Sequence, residues 1–281
     1  MKIEVLYQAQ YAYAEAVSFS LHLFRLFPRA GRDLVVRAGD FQTNMDAAVS
    51  YRRDLFDNEI ASCFYPERSA LLAANLRLEL EVRERNAFNF LLESRAIELP
   101  FEYDEHERQV LAPYLQSTAP APELPFWKAP TTSRGTVEAL MELNGAIHGN
   151  IAYERREEGN PFSPGETLAR GSGACRDFAV LLAETLRGLG IAARLASGYL
   201  GEFGTTEKRA EGALHAWTEA YLPGAGWLGL DPTNGTFCNH LHITTAVGLT
   251  PADISPVLGR YYHGTRVESQ MTTSLLIHEL A

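Results

Sequence analysis

Leu76-Arg77-Leu78-Glu79-Leu80-Glu81-Val82-Arg83 alternates apolar and charged residues without a slip. Successive side chains of a strand point to opposite faces, so this run predicts a strand with one face buried and one wet. Val17-Ser18-Phe19-Ser20-Leu21-His22-Leu23 alternates in the same way, and Asp57-Asn58 between Leu55-Phe56 and Ile60 predicts a hairpin turn. Short strands separated by turns point to a sandwich-like sheet arrangement across the first hundred residues or so. Asp40, Asp46, Asp54 and Asp57 are scattered through that region and read as solvated loop residues. It shows no catalytic cluster and no internal repeat.

The grammar changes after Thr118-Ala119-Pro120-Ala121-Pro122-Glu123-Leu124-Pro125. Its prolines block both helix and ladder hydrogen bonds, which makes it the expected linker. Val137, Leu140, Met141 and Ile147 can then share one helical face around residues 134–148. After Cys175, Phe178, Leu181, Leu182 and Leu186 recur at three- and four-residue spacing, and Gly188 and Gly190 close that helix. Strands are predicted at Ala193 to Leu200, Ala213 to Leu222 and Trp227 to Leu230, with a last one at Ser274-Leu275-Leu276-Ile277. Helices followed by an antiparallel sheet describe an α+β fold. The expected organisation is a β-rich domain over 1–120, a linker over 121–130 and an α+β core over 131–281.

Composition narrows the function classes. The 281 residues carry 25 basic and 35 acidic side chains, a formal net charge of −10. A nucleic-acid binder needs a basic face, so that class is excluded, and docking on an anionic membrane is disfavoured. No apolar run approaches the length of a bilayer span, and the alternating start Met1-Lys2-Ile3-Glu4-Val5 lacks the features of a signal peptide. Three distant cysteines, Cys63, Cys175 and Cys238, fit reduced thiols better than a disulfide framework. A cytoplasmic protein is expected. Asn234-Gly235-Thr236 has the form of a glycosylation site but reads here as a turn.

Candidate chemistry centres on Gly171-Ser172-Gly173-Ala174-Cys175-Arg176-Asp177-Phe178. It sets a thiol between a glycine-rich turn and the start of a helix, where unsatisfied N–H groups and the helix dipole favour a thiolate. The two glycines are expected to bring the turn close to a substrate. A buried structural cysteine would fit the position equally well. Pro223-Gly224-Ala225-Gly226 predicts a hairpin joining the strands that carry His215 and Asp231. Cross-strand partners then have residue numbers summing to 446 or 448. A sum of 446 makes His215 face Asp231, and 448 makes them diagonal. Either puts both on one sheet face within about 5 to 8 Å. A carboxylate holding one imidazole N–H leaves the other ring nitrogen for the thiol, the arrangement of a Cys-His-Asp acyl-transfer site.

At these boxes the sequence resembles a known family. Gly-Ala-Cys-Arg-Asp-Phe-Ala at 173–179, Leu-Gly-Ile-Ala-Ala-Arg at 189–194 and Ser-Gly-Tyr-Leu at 197–200 are similar to the transglutaminase-like core of bacterial proteins. So are His-Ala-Trp-Thr-Glu at 215–219 and Gly-Trp-Leu-Gly-Leu-Asp-Pro-Thr-Asn at 226–234. Residues 22–29 and 54–58 resemble the β-rich N-terminal domain that precedes this core. The resemblance implies a papain-like fold with Cys175 as nucleophile, His215 as base and Asp231 as its orienting acid. It implies attack on an amide carbonyl to give a thioester, then transfer of the acyl group to water or an amine. Peptide, protein or small-amide substrates follow. No cofactor or metal is expected, since no EF-hand-like loop or dense acidic run is present.

The sequence departs from the families it resembles at the oxyanion hole. No tryptophan lies between Trp127 and Trp217, and Ala169 stands where papain-like proteases carry glutamine. The Cys175 backbone N–H is the expected donor, and a side-chain donor is left unassigned. Ala246-Val247-Gly248-Leu249-Thr250 also lacks the family's charged run. Two rivals stand beside the enzyme. Cys238, His240 and His242 could alternate on a strand face as metal ligands, but strand positions i and i+4 lie about 13 Å apart, too far for one ion. A catalytically silent interaction module on the same fold is the other. Tyr199, Asp177, Trp217 and Trp227 read as packing or structural residues, and Arg176 as pairing with a local acid.

Overall fold

The computed structural model describes residues 1–117, 122–156, 159–201, 209–211 and 213–280. Thr118 to Ala121, the first half of the predicted linker, lies outside them. The first part holds β1 (Lys2–Phe19), β2 (His22–Phe24), β3 (Leu34–Thr43), β4 (Ala48–Arg53), β5 (Glu59–Phe64) and β6 (Ser69–Val82). The alternating run lies in β6, where Leu76, Leu78, Leu80 and Val82 are buried and their charged neighbours reach solvent. β1 and β6 pair antiparallel, and β3 flanks β6. Their apolar face meets Phe24, Ala61 and Cys63 of a second sheet built on β2, β4 and β5, and Leu26 just after β2, giving the expected sandwich-like core.

Two local expectations change. Residues 17–23 are two strands rather than one: β1 ends at Phe19 and β2 begins at His22, because the chain crosses there from one sheet to the other. Asp54 is not solvated. It accepts the Phe56 and Asn58 N–H groups and the Asn58 amide, pinning the turn in which Asp57 takes φ 62°.

The second part runs β7 (Glu98–Leu99), α1 (Glu105–Leu115), β8 (Arg134–Gly135), α2 (Thr136–Asn150), β9 (Ala152–Tyr153), α3 (Pro164–Arg170), β10 (Ser172–Gly173) and α4 (Cys175–Gly188). There follow β11 (Ala193–Leu200), β12 (Arg209–Glu211), β13 (Ala213–Leu222), β14 (Gly226–Asp231), β15 (Thr236–Phe237) and β16 (His242–Gly248). β15, β14, β13, β11 and β16 form one antiparallel sheet in that spatial order. The apolar faces of α2 and α4, with Leu140, Leu143, Ile147, Phe178, Leu181 and Leu182, close over Ala216, Ala220 and Leu230 of that sheet. Helices on an antiparallel sheet make this part α+β, as expected.

The chain ends with β17 (Val257–Leu258), β18 (Tyr261–Tyr262) and β19 (Ser269–Leu280). The strand read at Ser274–Ile277 is therefore present and longer. It pairs with β1, from Lys2 opposite Leu280 to Tyr13 opposite Ser269, so the chain's end returns to the sheet that holds its beginning. β17 likewise joins β2. No helix among the described residues is long and apolar enough to cross a membrane.

Candidate active site

Cys175 is the first residue of α4, and local contacts fix that helix start. Gly171 ends α3 in the left-handed region at φ 64°, donating its N–H to Thr167 O. β10 then pairs parallel with β9, Gly173 opposite Tyr153. Asp177, one turn into α4, is fully buried and accepts the Ala174 N–H at 2.7 Å and the Phe162 N–H at 2.7 Å. Arg156 grips both of its oxygens at 2.7 and 2.8 Å. A Cβ on Gly173 would stand 2.9 Å from Asp177 Cβ, so glycine there admits this anchor. The two glycines thus shape the helix start, a nearer reason than close approach of a substrate.

The β13–β14 hairpin has the 448 register: Thr218 pairs with Leu230 and Leu222 with Gly226. His215 and Asp231 are accordingly diagonal on one sheet face. His215 Nε2 lies 2.8 Å from Asp231 Oδ2, and both side chains are buried. The other ring nitrogen, Nδ1, is left for the Cys175 sulfur, with which His215 shares a hydrogen bond. The three residues singled out in the sequence therefore meet. Cys175 is partly exposed, whereas Cys63 and Cys238 are buried.

The charges follow from these contacts. Burial alone would raise the Cys175 thiol, but the His215 hydrogen bond and charge, the Ala216 N–H and the Arg176 charge carry it below the ordinary thiol value. Burial opposes charge on His215 too; its bonds to Asp231 and Cys175 outweigh that and push it up to about 10. Asp231, also opposed by burial, is held well below the usual carboxylate range by His215, His242 and Asn234. Cys63 and Cys238 move the other way, raised by burial. A thiolate–imidazolium pair at a partly exposed helix tip is a nucleophile beside its proton donor.

Sequence reasoning missed two contributors. Asn144 of α2 donates its amide to Asp231 O at 3.2 Å and Thr236 O at 3.1 Å, tying the hairpin end to a helix. His242 lies on the same carboxylate as His215, Nε2 to Asp231 Oδ2 at 3.1 Å. The signal for it was present in the Cys238, His240, His242 pattern, but these residues do not share a strand, since β16 begins only at His242. Cys238 is buried against Gly229, and His240 Nδ1 accepts the Arg85 N–H at 3.5 Å. Among the described residues no cluster of three or more His, Cys, Asp or Glu is arranged to hold a metal.

Neighbouring aromatics complete the frame. Trp217 is buried and stacks on His215, ring centroids 6.2 Å apart. Tyr199 is fully buried and donates its hydroxyl to Leu26 O at 2.7 Å, so it joins the two halves rather than lining a cleft. Two adjoining polar clefts of about 240 and 280 Å³ border Asp33, Arg85, Glu219, His242 and Thr244. Neither is lined by Cys175.

Residues 127–232 match the transglutaminase-like superfamily, and residues 3–81 match the bacterial transglutaminase-like N-terminal region. An uncharacterized protein of Mycobacterium tuberculosis is 33% identical over 136 residues, which are 46% of this chain and 43% of that one. The chain thus matches less than half the length of that relative. An uncharacterized protein of Mycobacterium leprae is 25% identical over 266 residues, 92% of this chain and 93% of that one. Among solved structures, a candidate cysteine protease from Cytophaga hutchinsonii superposes with a TM-score of 0.71 at 16% identity, covering 98% of this chain and 90% of that one. That likeness is one of fold.

Proposed function

Because the chain belongs to the transglutaminase-like superfamily, with the bacterial transglutaminase-like region at its N-terminus, we propose that it performs thiol-dependent amide-bond chemistry through a Cys175 thioester. The observation that carries this reading is His215, bonded to Cys175 on one side and to buried Asp231 on the other. In the proposed reaction the Cys175 thiolate attacks an amide carbonyl. The oxyanion that forms is met by N–H groups at the α4 start, the Cys175 N–H among them. The His215 imidazolium gives its proton to the leaving amine, and the amine departs. Neutral His215 then takes a proton from water, which attacks the thioester and releases the acid. An amine in place of water would give transamidation; hydrolysis is the simpler outcome, because water needs no dedicated binding site.

Asp231 keeps the imidazole in its tautomer and stabilises its positive charge without becoming protonated. Peptides, proteins or small amides are the proposed substrates, acting in a cytoplasmic, reducing setting that keeps the thiol free. The test is to trap an acyl-enzyme. A panel of peptide and glutamine-type amides is offered to the wild type and to Cys175→Ala, and intact mass is read after acid quench. A hydroxylamine-labile adduct on the wild type alone is the expected result. No adduct from any amide, with Cys175 no more reactive than an ordinary thiol, would return the protein to a silent interaction module.

A further inference from the structure

The Asp231 carboxylate is crowded. Oδ1 accepts the Thr233 N–H at 3.0 Å and the Asn234 N–H at 3.3 Å. Oδ2 accepts the Asn234 amide at 2.7 Å, His215 Nε2 at 2.8 Å and His242 Nε2 at 3.1 Å. Three of these donors come from the turn that follows Asp231 itself. Among the described residues, the side chains that reach it from other strands are the two histidines.

The protonation of His242 follows from its partners. Its Nε2 faces Asp231 Oδ2, a carboxylate oxygen that can only accept, so that nitrogen carries a proton. Nδ1 stands between the Asn239 N–H at 3.3 Å and Asn239 Oδ1 at 3.4 Å. The ring is held on all sides. Its side chain is 6% exposed, and it stands edge-on to Trp217 with centroids 5.4 Å apart and planes at 80°. Trp217 in turn stacks on His215. β16 itself is seated by a close approach: a Cβ on Gly198 would lie 2.0 Å from Ile243 O, and the register shifts between Ser197 and Gly198 at that point. Gly198 also pairs with His215, so one glycine sets the distance between the strands that carry the two histidines.

We propose that His242 is a positioning residue for the thiol chemistry, acting through Asp231: its Nε2–H fixes the rotation of the carboxylate so that Oδ2 presents a lone pair to His215. The proposal rests on the Cys175 reading above and deepens it. Turn donors hold Oδ1 and, through the Asn234 amide, one side of Oδ2; His242 adds a donor to Oδ2 from another strand, β16, and so opposes its rotation away from His215. A donor to the charged form also keeps the carboxylate ionised, so the mobile proton stays on His215. His242 touches neither the sulfur nor a substrate carbonyl in this account. That separates it from Cys175 and His215, whose atoms react.

The test uses Cys175 alkylation by iodoacetamide, followed by peptide mass across a pH series, on the full chain. His242→Phe keeps a planar ring and removes the N–H; His242→Gln retains a donor at the Nε2 position. The Phe variant should lift the midpoint of Cys175 alkylation by about one pH unit, a tenfold loss of rate in acid. The Gln variant should keep the wild-type profile. His215→Phe serves as the reference for the underlying reading. If His215→Phe abolishes acid-side reactivity and His242→Phe changes nothing, this proposal is overturned and the Cys175 reading stands. If neither variant matters, both are overturned. Equal impairment of the Phe and Gln variants would assign His242 to structure alone and also overturns the proposal. Should His242→Phe fail to fold, nitrogen-15 imidazole spectra of the wild type decide. A proton on His242 Nε2 is expected, and an unprotonated Nε2 would refute the assignment.

Discussion

Asp231 sits diagonal to His215 across the β13–β14 hairpin, with 2.8 Å between Oδ2 and Nε2. Trp217 shares the same face and stacks on His215. An asparagine at 231 would offer an amide N–H where the imidazole needs an acceptor. Asp231→Asn should therefore keep the fold yet lower acyl-enzyme formation by about 10³ to 10⁴, the scale seen when a triad acid is neutralised. Stopped acylation assays with circular dichroism alongside would separate the two effects. Full activity in the variant would remove Asp231 from the mechanism.

The ion pair predicts how stability depends on pH. His215 is raised from 6.5 to about 10, so its contribution is complete below 6.5 and is lost as pH climbs through 10. Cys175 is lowered from 9.0, so its contribution is complete above 9.0 and is lost as pH falls through the folded value. Below 9.0, and above both 6.5 and the folded Cys175 value, the two slopes cancel. Urea unfolding of the wild type against the Cys175→Ala/His215→Phe double variant should thus show a stability difference that is flat across that window. It should fall on both sides. A difference that rises steadily with pH across it would mean that the folded pair holds no proton there.

Asp177 anchors the start of α4 with no exposed surface of its own. Asp177→Ala would leave Arg156 facing a void and two N–H groups without their acceptor. Breaking a buried pair from one side costs about 3 kcal/mol, or roughly 6–10 °C of melting temperature in a chain of this size. Calorimetry checks the first figure. Slower Cys175 alkylation in the same variant would show that the anchor also seats the thiol.

Gly198→Ala tests the seat of β16. A Cβ there would overlap the Ile243 carbonyl, which is backbone and cannot swing aside. The strands must part, so the variant should lose stability by at least about 2 kcal/mol and reduce Cys175 reactivity together. Retained stability with a wild-type alkylation profile would show that the β11–β16 spacing is not critical.

Much of this site was legible because it is local or one hairpin away. The α4 repeat, the alternation of β13 and the turn at 223–226 fix where Cys175, His215 and Asp231 stand, and an even register sum was enough to bring two of them together. What escaped was set by distant contacts or by weak local signals. α1 has one buried residue, Leu111, and an Asp104 cap, so it carries almost no apolar stripe to read. β19 looks like any apolar strand, and nothing within it says that its partner is β1, at the other end of the chain. His242 meets Asp231 only because β16 lies on β11, with Gly198 allowing the approach. A pattern of nearby histidines suggested ligands for an ion, whereas the fold sends each member to a separate neighbour.

The charge state of the Cys175 sulfur is the point on which the chemistry turns, and thiolate ultraviolet absorbance reads it directly. The wild type minus Cys175→Ala should show one thiolate already present below the ordinary thiol pKa of about 8.5. His215→Phe should abolish that signal at the same pH. A wild-type signal that appears only near or above the ordinary thiol value would contradict the account.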